Sequence, residues 1–194
     1  MIYDRSVLLL LVLGCTVAYL MWDTYVDGKV EKVKASDGKE YQVQSLPDKE
    51  EAANLLAEIK RRLITLRDHM VKMYPDDPMV QRLVKNFRPD NIVETATNSK
   101  KYTSYSINKG EKILLCLRSR DNKNELADIN TMMFVAIHEL AHVACASTGH
   151  TEEFWDIFRT LLVEAINIGV YVKQDYRKKP QPYCGMEITD SPVF

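Results

Sequence analysis

Apolar residues recur at three- and four-residue intervals in several segments of the chain, and this spacing predicts amphipathic helices. The longest such segment follows Asp48, a residue type that favours helix starts, and it ends before Pro75 and Pro78. Its apolar face comprises Ala52, Leu55, Leu56, Ile59, Leu63, Leu66, Met70 and Met73. A shorter helix is predicted over residues 79–87, before the next proline.

Two further helices are predicted in the second half of the chain. Residues 129–145 are apolar at helical spacing and are followed by Ser147 and Gly149, which favour helix termination. Thr151 can cap the next helix, whose apolar face comprises Phe154, Trp155, Phe158, Leu161, Leu162 and Ala165. Both helices are expected to pack inward.

Two pairs of short β-favouring runs flank turn sequences, which predicts two hairpins. Residues 30–34 and 40–44 flank a Ser-Asp-Gly turn, and residues 102–107 and 112–118 flank a turn with Asn and Gly. The polar residues 89–101 are expected to form a loop with short elements. Helices and hairpins together predict the α+β class.

The N-terminal segment is apolar throughout, because residues 6–22 include no charged side chain over 17 positions. We expect residues 1–22 to form a single transmembrane anchor with the bilayer as partner, and residues 23–194 to form the domain. An uncleaved anchor is favoured over a signal peptide because no Ala-x-Ala-like site follows. Three lysines shortly after it place the domain in the cytosol by the positive-inside rule. A viral or virion membrane is an alternative location.

Composition limits the partners that can be expected for the chain and indicates the redox state of its cysteines. The 194 residues include 26 Lys and Arg and 27 Asp and Glu, a net charge of −1, so nucleic acid is not an expected partner. The four cysteines, Cys15, Cys116, Cys145 and Cys184, are widely spaced and form no CxxC pair. This pattern predicts free thiols in a reducing compartment.

Three of the four histidines lie within thirteen residues, and two of them belong to a His-Glu-x-x-His motif on a predicted helix. His138 and His142 are four residues apart, so both rings project from one helix face and can reach one metal ion. Glu139 lies beside the first ligand, where its carboxylate can hydrogen-bond the attacking water and take its proton. The motif therefore predicts metal-assisted hydrolysis, most typically with zinc.

A catalytic zinc requires a third protein ligand. His150 is the leading candidate, because Gly149 can turn the chain after the helix and bring the next residue back toward the metal. Glu164 is the rival candidate, since it would complete the His-His-Glu set of thermolysin-like enzymes. His69, on the long helix, is expected to be unrelated to the metal.

The run HELAHVACASTGHTEEFWDIF at residues 138–158 resembles the WLM-type, SprT-like and YgjP-like zinc metallopeptidases. The resemblance implies a zincin-like minimal metallopeptidase domain behind the anchor. It implies that zinc is held by His138, His142 and His150, and that Glu139 is the general base.

The same resemblance assigns roles to two neighbouring elements. It implies that Phe154 and Trp155 pack the following helix behind the site, and that the hairpin of residues 102–118 supplies an edge strand that aligns a peptide substrate. The DNA–protein crosslink repair role of some relatives is not carried over, because no DNA- or ubiquitin-binding extension is visible.

The expected function is that of a membrane-anchored zinc-dependent metallopeptidase acting on polypeptides. The alternative is a non-catalytic membrane-linked structural or interaction protein that retains the fold, for example a viral minor capsid or virion membrane component. An intact Glu139 favours the enzyme. A donor to the oxyanion can come from Tyr171, Tyr176, Tyr183 or a basic residue of the C-terminal tail, and the sequence does not select among them.

Overall fold

The computed structural model describes residues 5–26, 30–95, 103–121 and 123–193. The helices are α1 (Arg5–Val26), α2 (Lys49–Met73), α3 (Pro78–Asn86), α4 (Ile129–Ala144) and α5 (Glu152–Asn167). The strands are β1 (Val30–Lys34), β2 (Glu40–Gln44), β3 (Ile92–Glu94), β4 (Tyr105–Ile107), β5 (Lys112–Leu115), β6 (Gln181–Tyr183) and β7 (Met186–Ile188). The predicted α+β class is confirmed.

Helix α2 begins and ends where the apolar spacing predicts. Asp48 precedes it, but the Asp48 side chain makes no capping hydrogen bond. Its carboxylate instead accepts a hydrogen bond from Nη1 of the buried Arg118 at 2.5 Å. Nε of Arg118 donates to buried Glu94 at 2.8 Å, so this ion-pair network joins the start of α2 to β3.

Helix α4 is the central element of the domain. Most of its side chains are buried, because α2, α3, α5 and β4 all pack against it. The tight turn of the β4–β5 hairpin packs on it at Gly110, where an added Cβ would lie 2.7 Å from Cγ1 of Val143. The predicted metal helix is therefore held from several sides.

A three-stranded sheet with the order β3-β5-β4 covers part of this core. Strand β5 pairs antiparallel with β4, as predicted, and parallel with β3, which the sequence pattern did not reveal. Strand β4 is at the edge of this sheet. Residues 96–102, which include the predicted start of the first strand of this hairpin, lie outside the described residues. The predicted β1–β2 hairpin is confirmed with Val30 opposite Gln44.

The segment after α5 contains a third hairpin, β6–β7, which the sequence pattern does not reveal. A disulfide between Cys116 and Cys184, with Cα atoms 6.1 Å apart, ties this hairpin to the end of β5. The prediction that all four cysteines are free is therefore wrong for this pair, whose 68-residue separation follows no recognisable spacing. Cys15 and Cys145 are free.

The N-terminal segment forms helix α1, but the prediction of a transmembrane anchor is wrong. Among the described residues, none of the helices has both the length and the apolar character that a membrane crossing demands. The uncharged stretch of 17 residues rises only about 26 Å as a helix, less than the roughly 30 Å of hydrocarbon. The predicted membrane localisation is therefore also wrong.

Candidate metal centre

Helix α4 positions the first two histidines. The Asp128 carboxylate caps the helix by accepting hydrogen bonds from the backbone N–H groups of Asn130 and Thr131, at 2.9 and 3.0 Å. His138 and His142 then lie one turn apart, and their ring centroids are 4.9 Å from each other. The Asp128 carboxylate therefore fixes the start of the helix that carries both histidines.

The loop after α4 returns the chain to the same face. Gly149 has φ of +83°, a left-handed conformation that glycine adopts without strain, and His150 follows it directly. This agrees with the turn that the sequence predicts at Gly149. The loop places the ring of His150 4.9 Å from the rings of both His138 and His142.

Two side chains from other elements fix this loop. The Glu153 carboxylate accepts hydrogen bonds from the backbone N–H groups of Ala146 and Ser147, both at 3.0 Å. These bonds lower the pKa of Glu153 to about 2. Lys109, from the β4–β5 turn, donates to the backbone carbonyls of Cys145 and Ser147 at the end of α4. The path of the loop is therefore set independently of any metal.

The three histidines present their Nε2 atoms to one point. Nε2 of His150 lies 3.1 Å from that of His138 and 3.2 Å from that of His142. Ligands arranged tetrahedrally around zinc at about 2.0–2.1 Å lie about 3.3–3.4 Å apart. The cluster therefore fits one zinc-sized ion, which His138, His142 and His150 could hold without a large rearrangement.

The electrostatics of the cluster suit metal binding. Burial, together with the neighbouring histidines, lowers the pKa of His138 to about 3. Burial, the charge of His150 and that of Lys109 lower the pKa of His142 to about 4. Both rings are therefore neutral near pH 7 and keep a lone pair for a metal, as ligation requires.

Phe154 is the common support of the three rings. It is fully buried, and its ring stacks on His142 at 4.3 Å and meets His138 and His150 edge-on at 4.9 and 4.7 Å. Trp155 contacts the ring of His150 at 5.7 Å. The packing role that the resemblance implied agrees with the contacts of Phe154, whereas Trp155 is 41% exposed and does not pack inward as the apolar face predicted.

Glu139 is 4% exposed and lies next to the first histidine on α4. Burial raises the pKa of Glu139 to about 8, while a hydrogen bond from the backbone N–H of Ser106 opposes the rise. Ser106 belongs to β4, so the edge strand and Glu139 are in direct contact. A cation held by the histidines would favour the ionised carboxylate.

A cleft of about 780 Å³ opens over these residues. Its walls are formed by the segment that includes β4, by α4, by the loop of His150 and by the C-terminal hairpin. His138, His142, His150 and Glu139 all line it. The predicted ligands and the predicted base are thus brought together at the edge of the sheet.

The structure separates the rival ligand from this cleft. The Glu164 carboxylate accepts a hydrogen bond from Tyr74 Oη at 2.8 Å, and its other oxygen lies 2.7 Å from Nε2 of His69. Glu164 therefore connects α5 to His69 and Tyr74 at the end of α2. His69 contacts Glu164, in agreement with the prediction that it is unrelated to the metal. Asp156, also on α5, pairs with Arg159 at 2.9 Å.

The structure also distinguishes the three candidate tyrosines. Tyr171 and Tyr176 are buried and hydrogen-bond each other at 3.3 Å. Tyr183 lines the cleft. Sequence reasoning named Tyr183 without selecting it, because its position depends on a hairpin and a disulfide that carry no local signal.

The fold and the three-histidine cluster together define an α+β domain with a site for one metal ion. Residues 36–192 match the WLM domain. The match includes all the site residues and most of the chain, so the chain belongs to the WLM domain family.

Relatives of this chain occur in large DNA viruses. An uncharacterized protein of Acanthamoeba polyphaga mimivirus is 40% identical over 156 residues, which are 78% of each chain. An uncharacterized protein of Invertebrate iridescent virus 6 is 30% identical over 111 residues, 55% of this chain and 62% of that protein. These similarities support the family and are consistent with a viral origin.

A yeast protein is similar in both sequence and structure. The DNA-dependent metalloprotease WSS1 of Saccharomyces cerevisiae is 27% identical over 100 residues, 52% of this chain and 32% of WSS1. A crystal structure of Wss1 superposes with a TM-score of 0.51 at 24% identity, covering 66% of this chain and 87% of the other. The structural likeness supports the mixed α+β fold.

Proposed function

We propose that this protein is a zinc-dependent metallopeptidase that hydrolyses peptide bonds in polypeptides, with Glu139 as general base. The observation that carries the proposal is the convergence of three histidine Nε2 atoms beside a buried carboxylate in one cleft. Nε2 of His150 lies 3.1 and 3.2 Å from the other two. Membership of the WLM domain family and similarity to a yeast metalloprotease support it.

His138, His142 and His150 would hold the zinc ion. When bound, zinc lowers the pKa of a water molecule and polarises the scissile carbonyl. Glu139 takes a proton from the attacking water as the new C–O bond forms at the carbonyl carbon. It then delivers that proton to the amide nitrogen as the C–N bond breaks, so the products are a carboxylate and an amine.

The edge strand β4 is suited to orient the substrate. Its pairing with β5 leaves one side of the strand at the edge of the sheet, and Ser106 in it contacts the general base. An extended peptide that pairs with this edge would pass the metal centre. DNA dependence, which the name of the yeast relative states for that protein, is not part of the proposal.

Glu139→Gln tests the catalytic half of the proposal. We expect the variant to keep one zinc ion per chain, measured by atomic emission, and to lose more than about 10²-fold in cleavage of a peptide library, because the base is removed. Cleavage by the variant at the wild-type rate would contradict the role of Glu139. A zinc-loaded wild type that cleaves no peptide would instead favour the non-catalytic alternative.

His150→Ala tests the metal half. We expect this variant to bind zinc weakly, because only two ligands remain. His69→Ala is the matched control, since its ring contacts Glu164 instead of the cluster, and it should keep one zinc per chain. Equal zinc content in the two variants would exclude His150 as a ligand.

A further inference from the structure

The β6–β7 hairpin contributes a tyrosine to the cleft beside the proposed base. Tyr183 ends β6, is 4% exposed and lines the cleft together with Glu139 and the three histidines. Burial raises the pKa of the phenol, and the Glu139 carboxylate in its surroundings raises the pKa further by a smaller amount. The hydroxyl of Tyr183 is thus close to the place where charge develops in the proposed reaction.

The hydroxyl groups of Tyr183 and Ser104 contact each other, and only one of their two protons can take part in that contact. Oη of Tyr183 lies 2.5 Å from Oγ of Ser104, and the backbone N–H of Cys116 donates to Oγ of Ser104 at 2.9 Å. Two hydroxyl protons are available, but only one can lie between the two oxygens. If Ser104 donates to Tyr183, then the phenol proton is free for another acceptor, such as a group bound in the cleft that Tyr183 lines.

The hairpin that carries Tyr183 is fixed to the sheet by a covalent bond. Cys184, the next residue, is bonded to Cys116 at the end of β5 and has φ of +49°, a conformation that non-glycine residues adopt rarely. The backbone N–H of the same Cys116 donates to Oγ of Ser104, which lies 2.5 Å from Oη of Tyr183. Cys116 therefore holds the hairpin by its disulfide and, by its backbone, fixes the serine hydroxyl that contacts Tyr183.

We propose that Tyr183 is a further catalytic residue, whose phenol O–H donates a hydrogen bond to the oxyanion that develops on the scissile carbonyl oxygen, and that the Cys116–Cys184 disulfide positions it. This inference rests on the proposed peptidase function. A fixed donor in a buried cleft stabilises the oxyanion more than the neutral carbonyl, because the donor needs no reorganisation during the reaction.

Tyr183→Phe removes the donor and keeps the ring. We expect kcat to fall by about 10²–10³-fold, with KM changed by less than about threefold, because the bond forms mainly with the oxyanion. Tyr176→Phe is the matched control, since its hydroxyl contacts Tyr171 in the core, and it should keep the wild-type kcat. Zinc content and the unfolding temperature of the zinc-free protein are measured for each variant to verify the fold.

Binding gives a second measurement that does not depend on turnover. By calorimetry, Tyr183→Phe should bind a phosphinic peptide, whose tetrahedral phosphinate imitates the oxyanion, at least about tenfold more weakly. The matching peptide is tested in proteins that also carry Glu139→Gln, so that it is not cleaved. In these proteins Tyr183→Phe should leave the affinity for the peptide unchanged. Equal losses for both ligands, or a kcat within threefold of the wild type, would overturn the role of Tyr183.

Two further variants test the proton assignment and the disulfide. Ser104→Ala should reduce kcat less than Tyr183→Phe does; a larger reduction would assign the cleft-facing proton to Ser104 and overturn the proposal. Replacing both Cys116 and Cys184 by serine should lower kcat, and Tyr183→Phe should then cost much less than in the wild type. Fully additive losses would refute the positioning role.

The outcome for the wild type separates this inference from the proposed function. If the zinc-loaded wild type cleaves peptides and Tyr183→Phe is as fast, only the role of Tyr183 fails. If the wild type cleaves nothing, the proposed function fails and the role of Tyr183 fails with it.

Discussion

At the scale of single residues, Phe154 supports the three histidine rings of the metal centre. One fully buried ring contacts the imidazoles of His138, His142 and His150. The rings are therefore held by packing against α5, which orients their Nε2 atoms toward one point. Such pre-organisation reduces the ordering that metal binding must otherwise impose.

Phe154→Ala is expected to weaken zinc binding by about 10–100-fold, because the ligand rings lose the contact that orients them. The variant should also lose about 3–5 kcal/mol of stability, as large-to-small changes at buried phenylalanines do. Zinc affinity is measured by competition with a chromophoric chelator, and stability by urea unfolding of the zinc-free protein.

Phe87→Ala is the control for this loss of stability. Phe87 is 3% exposed and follows α3, and its ring has no part in the cleft lining. The control should be destabilised to a similar extent and yet bind zinc as the wild type does. Identical zinc affinities for the two variants would mean that Phe154 contributes only to the core.

At the scale of elements, the loop between α4 and α5 determines where the third histidine lies. Glu153, in the first turn of α5, accepts hydrogen bonds from two backbone N–H groups of this loop and pairs with Arg82 of α3 at 3.1 Å. The carboxylate thus joins α5 and α3 to the loop. From the sequence alone, Glu153 is an acidic residue near the start of a predicted helix, where negative charge is favourable.

The stability that Glu153 contributes should depend on pH. Backbone hydrogen bonds lower the pKa of Glu153 to about 2, below its ordinary value of 4.5. A carboxyl whose pKa is depressed by folding stabilises the protein above the unfolded pKa, and this contribution is lost as pH falls through the folded pKa. Its contribution should therefore be complete near neutral pH and decline from about pH 4.5 toward pH 2.

Glu153→Gln should lower the free energy of unfolding by about 1 kcal/mol at pH 7, a value discounted because the side chain is 37% exposed. This difference in the free energy of unfolding should shrink at lower pH, because the Glu153 carboxylate of the wild type is then protonated. Urea unfolding of the zinc-free protein at several pH values measures it. Glu152→Gln, the same change one residue earlier, should stay within about 0.5 kcal/mol of the wild type; a deficit for Glu153→Gln that grows toward low pH would contradict this prediction.

At the scale of the whole molecule, charge bears on the choice of partner. The chain carries 26 basic and 27 acidic residues, so its net charge of −1 provides no general attraction for a polyanion. A polypeptide substrate does not require such a field. Nucleic acid therefore remains an unexpected partner for this chain.

We expect added single- or double-stranded DNA to change the rate of peptide cleavage by less than about twofold at low salt, where phosphate contacts would be strongest. The measurement is cleavage of a fluorogenic peptide with and without DNA. Heparin, a polyanion without bases, is the control. A more than tenfold stimulation by DNA that heparin does not reproduce would contradict this prediction.

The short strands show why part of the fold could not be predicted. Strand β3 has three residues, and its three side chains are buried because it pairs with β5, which is distant in sequence. Strand β6 includes Pro182, a residue that weakens any strand prediction. Such elements form because of their neighbours, since three residues hold too little periodicity to specify a strand alone.

The local sequence determined the helices, two hairpins and the face shared by His138 and His142, because these features depend on residues a few positions apart. Only the tertiary structure decided that Glu164 is engaged elsewhere and that the Nε2 atom of His150 completes the cluster. It also paired Cys116 with Cys184 and thereby brought Tyr183 to the cleft. These outcomes depend on contacts between distant segments, which the order of residues alone does not reveal.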